Sequence, residues 1–188
     1  YAEISAFCSA NRLRLSDYVF LREGEGIRDY LFGIWNTMKQ SVSDGLTRTG
    51  ELPGGLGVER KAQYLYNRRH IDESPQTREN RLVCAYAFAV AEQNASGGEI
   101  VTAPTCGASG VMPAALLYMQ EERGFSDEAI VRALAAGGVI GNLIKTNASI
   151  SGAECGCQAE IGSACSMTAA ALGELFEMGL GQIGYAAE

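Results

Sequence analysis

Three of the chain's six cysteines fall in one stretch, Asn147 to Met167, NASISGAECGCQAEIGSACSM. Cys155 and Cys157 are separated by one residue, and Cys165 lies eight beyond Cys157. Thiolates are the soft ligands that zinc and iron–sulfur clusters select, so a metal centre is one chemistry this spacing suggests. The other reading is packing, because a free cysteine is also a small apolar side chain that fills tight cores. The C-x-C pair is not the C-x-x-C of a zinc ribbon, and no second pair or histidine follows at zinc-finger spacing. Gly, Ser and Ala occupy most of the intervening positions. Such residues let the main chain come close to a ligand, whereas repeated glycine weakens an ordinary helix interior. The stretch reads as a site.

A second segment of small residues, Thr102-Ala103-Pro104-Thr105-Cys106-Gly107-Ala108-Ser109-Gly110, leads into a helix predicted from about Val111 to Glu121, with Pro113 tolerated in its first turn. A loop entering a helix in this way presents free N–H groups and the positive end of the helix dipole, which suits a carboxylate. An ordinary helix cap is the alternative. The glycine-rich run Thr49 to Leu56, TGELPGGL, is either a connection or an anion-cradling nest; no Lys-Ser/Thr follows it as in a P-loop. His70 is the sole histidine. Imidazole is the natural base near neutral pH, but a position between Arg69 and Ile71 at a predicted helix end suits a surface or capping role. We discount it as the catalytic base.

These residues must be positioned by helices. The pattern from Ile4 to Leu21 is loosely helical, with Cys8 on its apolar face and Ser16-Asp17 offering the cap of a second short helix. A longer amphipathic helix is predicted from Glu25 to Asp44, where Ile27, Tyr30, Leu31, Ile34, Met38 and Val42 recur at helical steps, and Gly45 ends it. A polar helix from Glu59 to Arg69 follows. Leu82 to Asn94 is apolar nearly all round, which predicts a buried helix with Cys84 as core filler. After a short extended run, Glu99 to Ala103, and the helix from Val111, Ser126 is predicted to cap a helix over Asp127–Ala136. Gly137, Gly138 and Gly141 carry that segment on to Ile144 and would allow close helix contact. An Ala-rich helix from about Ser163 to Met178 is last, ended by Gly179-Leu180-Gly181. Nowhere does sustained alternation mark a strand. The expected fold is mainly α, with glycine-interrupted helices packed around a central site in a single domain over residues 1–188.

A chain of 188 residues can bury a sizeable core. Its net charge of −7 and pI near 4.8 argue against nucleic-acid binding, which requires a basic patch. The one dense basic cluster, Arg60-Lys61 with Arg68-Arg69, sits among acidic neighbours and reads as a solvated helix face. No run of about eighteen apolar residues predicts a membrane span. The start, Tyr1-Ala2-Glu3-Ile4, has neither an initiator Met nor a signal-peptide pattern, and is expected to be a cut or trimmed end. Six cysteines are too sparse for a disulfide scaffold, and their grouping near glycine fits a reducing compartment. The expected location is cytoplasmic.

As a signature, Asn147-Ala148-Ser149-Ile150-Ser151-Gly152-Ala153-Glu154, then Gly156-Cys157-Gln158 and Ala164-Cys165-Ser166-Met167, closely resembles that of the iron–sulfur-dependent bacterial L-serine dehydratases, in their α domain or α subunit. Thr102-Ala103-Pro104-Thr105 with Gly107-Ala108 and Gly110 resembles that family's other signature, and Leu52-Pro53-Gly54 matches a similar loop before a basic helix. The resemblance implies a serine dehydratase α-domain fold that deaminates L-serine to pyruvate and ammonia, in amino-acid catabolism and gluconeogenesis. It implies Cys157 as a ligand of a 4Fe-4S cluster and Cys165 as packing. The family's two other ligands fall about forty and fifty residues beyond the first, past Glu188. The expectation is therefore a catalytic domain truncated at its C-terminus, holding no intact cluster and inactive alone. A smaller β domain or β subunit would be the partner, within an oligomer. Two positions depart from the family's pattern: Cys106 stands where Asn is usual, and Ser109 where a small residue or Cys is frequent.

Expelling hydroxide from serine needs a group to carry its charge, and the resemblance implies an open cluster iron as that Lewis acid. The α-proton must pass to a base near Cα. Lys145, adjoining the signature, is the expected base if buried, with Glu154 beside the cysteines as a second catalytic candidate and Glu160 as a base or supporting group. Thr102, Thr105, Gly107 and Ser109 are expected to bind the substrate carboxylate, and Asn147, Ser149 and Ser151 the substrate or cluster. Three other readings stay open: a cysteine desulfidase of the same superfamily, a pyridoxal-phosphate lyase with Lys145 as the Schiff base, and a non-catalytic helical assembly module. The pyridoxal reading lacks a convincing phosphate loop.

Overall fold

The computed structural model describes residues 1–68 and 71–188. The readings made for Arg69 and His70 lie outside the described residues. The described chain forms ten helices: α1 Ala2–Asn11, α2 Leu15–Glu23, α3 Gly26–Thr47, α4 Ala62–Asn67, α5 Pro75–Ala95, α6 Val111–Arg123, α7 Asp127–Asn147, α8 Gly152–Cys155, α9 Cys157–Leu175 and α10 Leu180–Ala187. It contains no strand among those residues, only an isolated bridge between Glu51 and Glu59. The mainly α expectation holds.

Helix starts follow their capping chemistry. Ser126 Oγ accepts from the Ala129 N–H at 3.2 Å and starts α7. Ser74 does the same for α5, accepting from Thr77 N–H at 3.1 Å, with Pro75 as the first helical residue. That cap sets α5 going well before Leu82. α2 is capped two residues before the expected Ser16: the Arg14 N–H donates to Asp17 Oδ2 at 3.0 Å, so Arg14 is the cap. Ser16 is buried inside the helix instead, where its hydroxyl donates to Glu174 at 2.6 Å. Arg14 Nε also donates to the buried Glu174 carboxylate, at 2.9 Å. A buried carboxylate is costly unless paired in this way, and the cluster ties α2 to α9.

Three connected cores hold the helices. Trp35 and Met38 of α3, Met112 and Leu116 of α6, Ile130 and Leu134 of α7 and Met167 of α9 form the central one. Val42, Leu82, Tyr86 and Val90 fill a second between α3 and α5. Cys8, Leu15, Ile140 and Ile183 fill a third, so Cys8 is the core residue its position suggested. Gly45 does not end α3. It lies inside the helix where a Cβ would collide with the Ala89 backbone, and its absence lets α3 and α5 cross closely. Gly137 and Gly141 play the same part for α7, where a Cβ would stand 2.9 Å from Met167 O and 2.8 Å from Met167 Sδ of α9. α7 therefore runs unbroken to Asn147. By length and composition it is apolar enough to cross a membrane, but half of that window is buried within the protein and it serves as a core helix.

Three expectations are corrected. α5 is not buried all round: it buries Leu82, Ala85, Tyr86, Ala89 and Val90, while Cys84 and Phe88 on the other side are exposed. Apolar composition shows that a face can be covered, not that a neighbour covers it. α9 runs from Cys157 to Leu175 rather than from Ser163 to Met178, and Gly179 caps the start of α10 instead of ending α9. Cys165, expected as packing, is exposed, because α9 buries the neighbouring positions Ser163, Ala164, Met167 and Thr168.

Candidate functional site

α7, α8 and α9 meet in a tight corner formed by residues 148–157. The turn from α8 into α9 is made at Gly156, whose φ of 81° belongs to the left-handed region where side chains are strained. α9 then starts with Cys157, and Glu160 follows in its first turn. Residues three apart on a helix are neighbours on its surface, so Cys157 and Glu160 share one face.

Glu160 joins the two signatures. Its Oε1 accepts a hydrogen bond from the Thr105 hydroxyl. A Cβ at Gly107 would stand 2.8 Å from Glu160 Oε1, and a Cβ at Gly152 would stand 2.8 Å from Oε2. The carboxylate thus lies between the backbone of the 105–110 loop and the start of α8. A Cβ at Gly152 would also be 3.9 Å from Cys157 Cα. Glycine at 107 and at 152 leaves room for one shared neighbour, the Glu160 carboxylate, a relation that neither segment reveals alone.

The loop itself is held from behind. Gly110 has no room for a Cβ, which would sit 2.6 Å from Ala87 O of α5, and it caps α6 without a side-chain hydrogen bond. Ser109 is buried and donates to Cys106 O at 2.7 Å, a bond that shapes the loop. Thr102, Cys106 and Gly107 are exposed, Thr105 is half-buried, and the Ala103–Pro104 peptide bond is cis. In the corner, the Ser149 hydroxyl donates to Glu154 Oε2, and the Ser151 N–H donates to Ser149 Oγ at 3.1 Å. Asn147 Nδ2 turns back to donate to Leu143 O at 2.9 Å on its own helix. Lys145 is exposed in the last turn of α7, a favourable place for a cation at a helix C-terminus. The burial on which its choice as base depended is not found.

Cys106, Cys155, Cys157 and Cys165 are all free and exposed. Among the described residues no three His, Cys, Asp or Glu side chains are grouped to hold a metal ion. Cys157 stands exposed at the start of α9, so its thiol is accessible to a group from outside the described residues. A cleft of about 450 Å³ lined by Thr49, Arg60, Gln63, Tyr64, Asn67 and Arg68 contains no signature residue. Sequence reasoning named Glu160 as a supporting group but missed its bond to Thr105. The spacing of Cys157 and Glu160 was readable; nothing local pointed to Thr105.

An all-helical α-type domain whose two small-residue signatures close on one carboxylate beside a free thiol is the class defined by this fold and corner. The chain belongs to the family described as the serine dehydratase alpha chain, which it matches over residues 4–188. It is 46% identical over 181 residues to the L-serine dehydratase of Streptomyces coelicolor, covering 96% of this chain and 40% of that protein. It is 42% identical over 182 residues to the L-serine dehydratase of Haemophilus influenzae, covering 92% and 40%. With L-serine dehydratase TdcG of Escherichia coli it shares 41% identity over 197 residues, covering 99% and 43%. The chain spans about two-fifths of the length of the curated relatives it matches.

Proposed function

We propose that this chain is the catalytic α domain, residues 1–188, of a lyase that converts L-serine to pyruvate and ammonia. The observation that carries this reading is the meeting of the Thr105–Gly110 loop and the Gly152–Cys157 corner on Glu160. That meeting supports a site in which the loop takes the substrate carboxylate on one side and the cysteine-bearing corner faces it on the other.

The reaction removes the α-proton and the β-hydroxyl as water, and the resulting enamine tautomerises to an imine that water hydrolyses to pyruvate and ammonia. The 105–110 loop binds the substrate carboxylate through its backbone N–H groups and the N-terminal end of α6. Thr102 and Thr105 flank that loop, Gly107 leaves its main chain open, and Ser109 fixes its turn. Ser149, Ser151 and Asn147 border the substrate on the corner side. Of the two groups proposed to accept the α-proton, Glu154 is the one bonded into the corner, through Ser149; Lys145 reaches from the exposed last turn of α7. A 4Fe-4S cluster, when bound, supplies a Lewis acid for the departing hydroxyl, and Cys157 is the residue of this chain that would hold it. The longer relatives support a partner region, a β domain or β subunit, in an oligomer. The acidic composition and free thiols support a cytoplasmic location.

The test is pyruvate release from L-serine by the full-length protein purified without oxygen, beside residues 1–188 alone. Turnover by the full-length protein supports the reading. Sulfide release from L-cysteine without pyruvate from serine replaces it with a desulfidase, and loss of both activities with a bound cluster leaves the assembly module.

A further inference from the structure

We infer that Glu160 is a positioning residue: its carboxylate sets the register of the 105–110 loop against the α8–α9 corner, and so the distance from the carboxylate-binding loop to Cys157. This rests on the function proposed above for the same site. Three features of the geometry meet on this one side chain.

The first is the Thr105 hydroxyl, which donates to Oε1. Among the described residues it is the hydrogen-bond partner of Glu160, and none of the ion pairs formed there includes Glu160. A hydroxyl bond to an ionised carboxylate is short and stronger than a neutral one, so the loop is pinned by charge on one side only. The second is the pair of glycines. Oε1 occupies the space of a Cβ at Gly107 and Oε2 that of a Cβ at Gly152, so two separate backbones close on one carboxylate. The third is the position of Glu160 within α9. It is in the first turn with Cys157, on the same face, so the bond that ties this carboxylate to the loop also ties the turn carrying the thiol to it.

A group that only filled space would tolerate any side chain of similar size. A positioning carboxylate requires its acceptor, its length and its partner. Glu160→Gln keeps the shape and an acceptor but loses the charge. Glu160→Asp keeps the charge but is one methylene too short to reach Thr105 from the same backbone. Thr105→Val keeps the shape of its partner and removes the donor.

The experiment compares these variants in the anaerobically purified full-length protein, measuring KM and kcat for L-serine. It is paired with amide hydrogen exchange of the 105–110 segment in cluster-free protein, a readout independent of turnover. We expect Glu160→Asp and Thr105→Val each to raise KM about tenfold or more, the size of one lost charge-assisted hydrogen bond, with a smaller change in kcat. We expect both to speed exchange across 105–110, and Glu160→Gln to lie between wild type and Glu160→Asp. The Glu160→Gln, Thr105→Val double variant should lose no more than the worse single one, because both act through one bond. Thr105→Ser should recover most of what Thr105→Val loses. Unchanged exchange at 105–110 in Glu160→Asp, or multiplying losses in the double variant, overturns the inference. If the unaltered full-length protein releases no pyruvate, the proposed function fails, and exchange at 105–110 still decides the role of Glu160.

Discussion

Cys157 and Glu160 occupy the first turn of one helix, and the neighbours of each decide what it can do. Cys157 is free and exposed, so its thiol is open to a ligand from outside the described chain. Glu160 is enclosed by two glycines and a threonine from other segments. This makes Gly152 a sensitive position of an unusual kind. A methyl group there meets the far end of a flexible side chain, so the protein can fold around it by turning the carboxylate away. We predict that Gly152→Ala changes stability by less than about 1 kcal/mol, measured by urea unfolding, while raising the KM for serine in the full-length protein. Of the other candidates, Lys145 is exposed and Ser109 is committed to its own loop, which leaves Glu154 with Ser149 as the polar pair built into the corner.

Between elements, some of the closest contacts are backbone approaches, and these do not relax. α3 crosses α5 at Gly45, where an added Cβ meets the Ala89 main chain rather than a movable side chain. Gly45→Ala should therefore destabilise the chain by about 3 kcal/mol, as overpacking of a rigid contact does, seen as a lower urea midpoint. The start of α7 carries a pH dependence. Hydrogen bonding from Gln120 holds the Asp127 carboxyl below its ordinary range; burial opposes this, and Lys39 and Trp35 add to the lowering. A carboxylate with a depressed folded pKa contributes stability above its unfolded pKa, near 4, and loses it as pH falls through the folded value. Because Asp127 is 45% exposed at its side chain, solvent screening limits that contribution to less than about 1 kcal/mol. Asp127→Asn should lower stability at pH 7, by an amount that shrinks as pH falls below about 4, checked by urea unfolding across that range.

On the scale of the molecule, the chain spans about two-fifths of its curated relatives and brings no metal-binding group of three together among its described residues. Reconstitution with iron and sulfide should accordingly give residues 1–188 no stoichiometric cluster absorbance, while the full-length protein gains it and Cys157→Ser in that protein loses it. A cluster forming on 1–188 alone would show that the ligand set is complete within the chain. On α5, Cys84 and Phe88 are exposed while the opposite face packs into the core.

The sequence by itself determined the helical class, the Ser126 cap and the two signatures that mark the family, because caps, helical periodicity and motif wording are local properties. It did not determine that Ser16 would serve Glu174 instead of capping α2, or that Cys165 and Cys84 would face outward. Those outcomes depend on which neighbour covers a face, and periodicity records only that a face exists. The site follows the same division. The residue types at Thr105, Gly107, Gly152, Cys157 and Glu160 were readable one by one, but their meeting on one carboxylate was decided by how α5, α6 and α9 pack, since a hydrogen bond between residues far apart in the chain has no local signal.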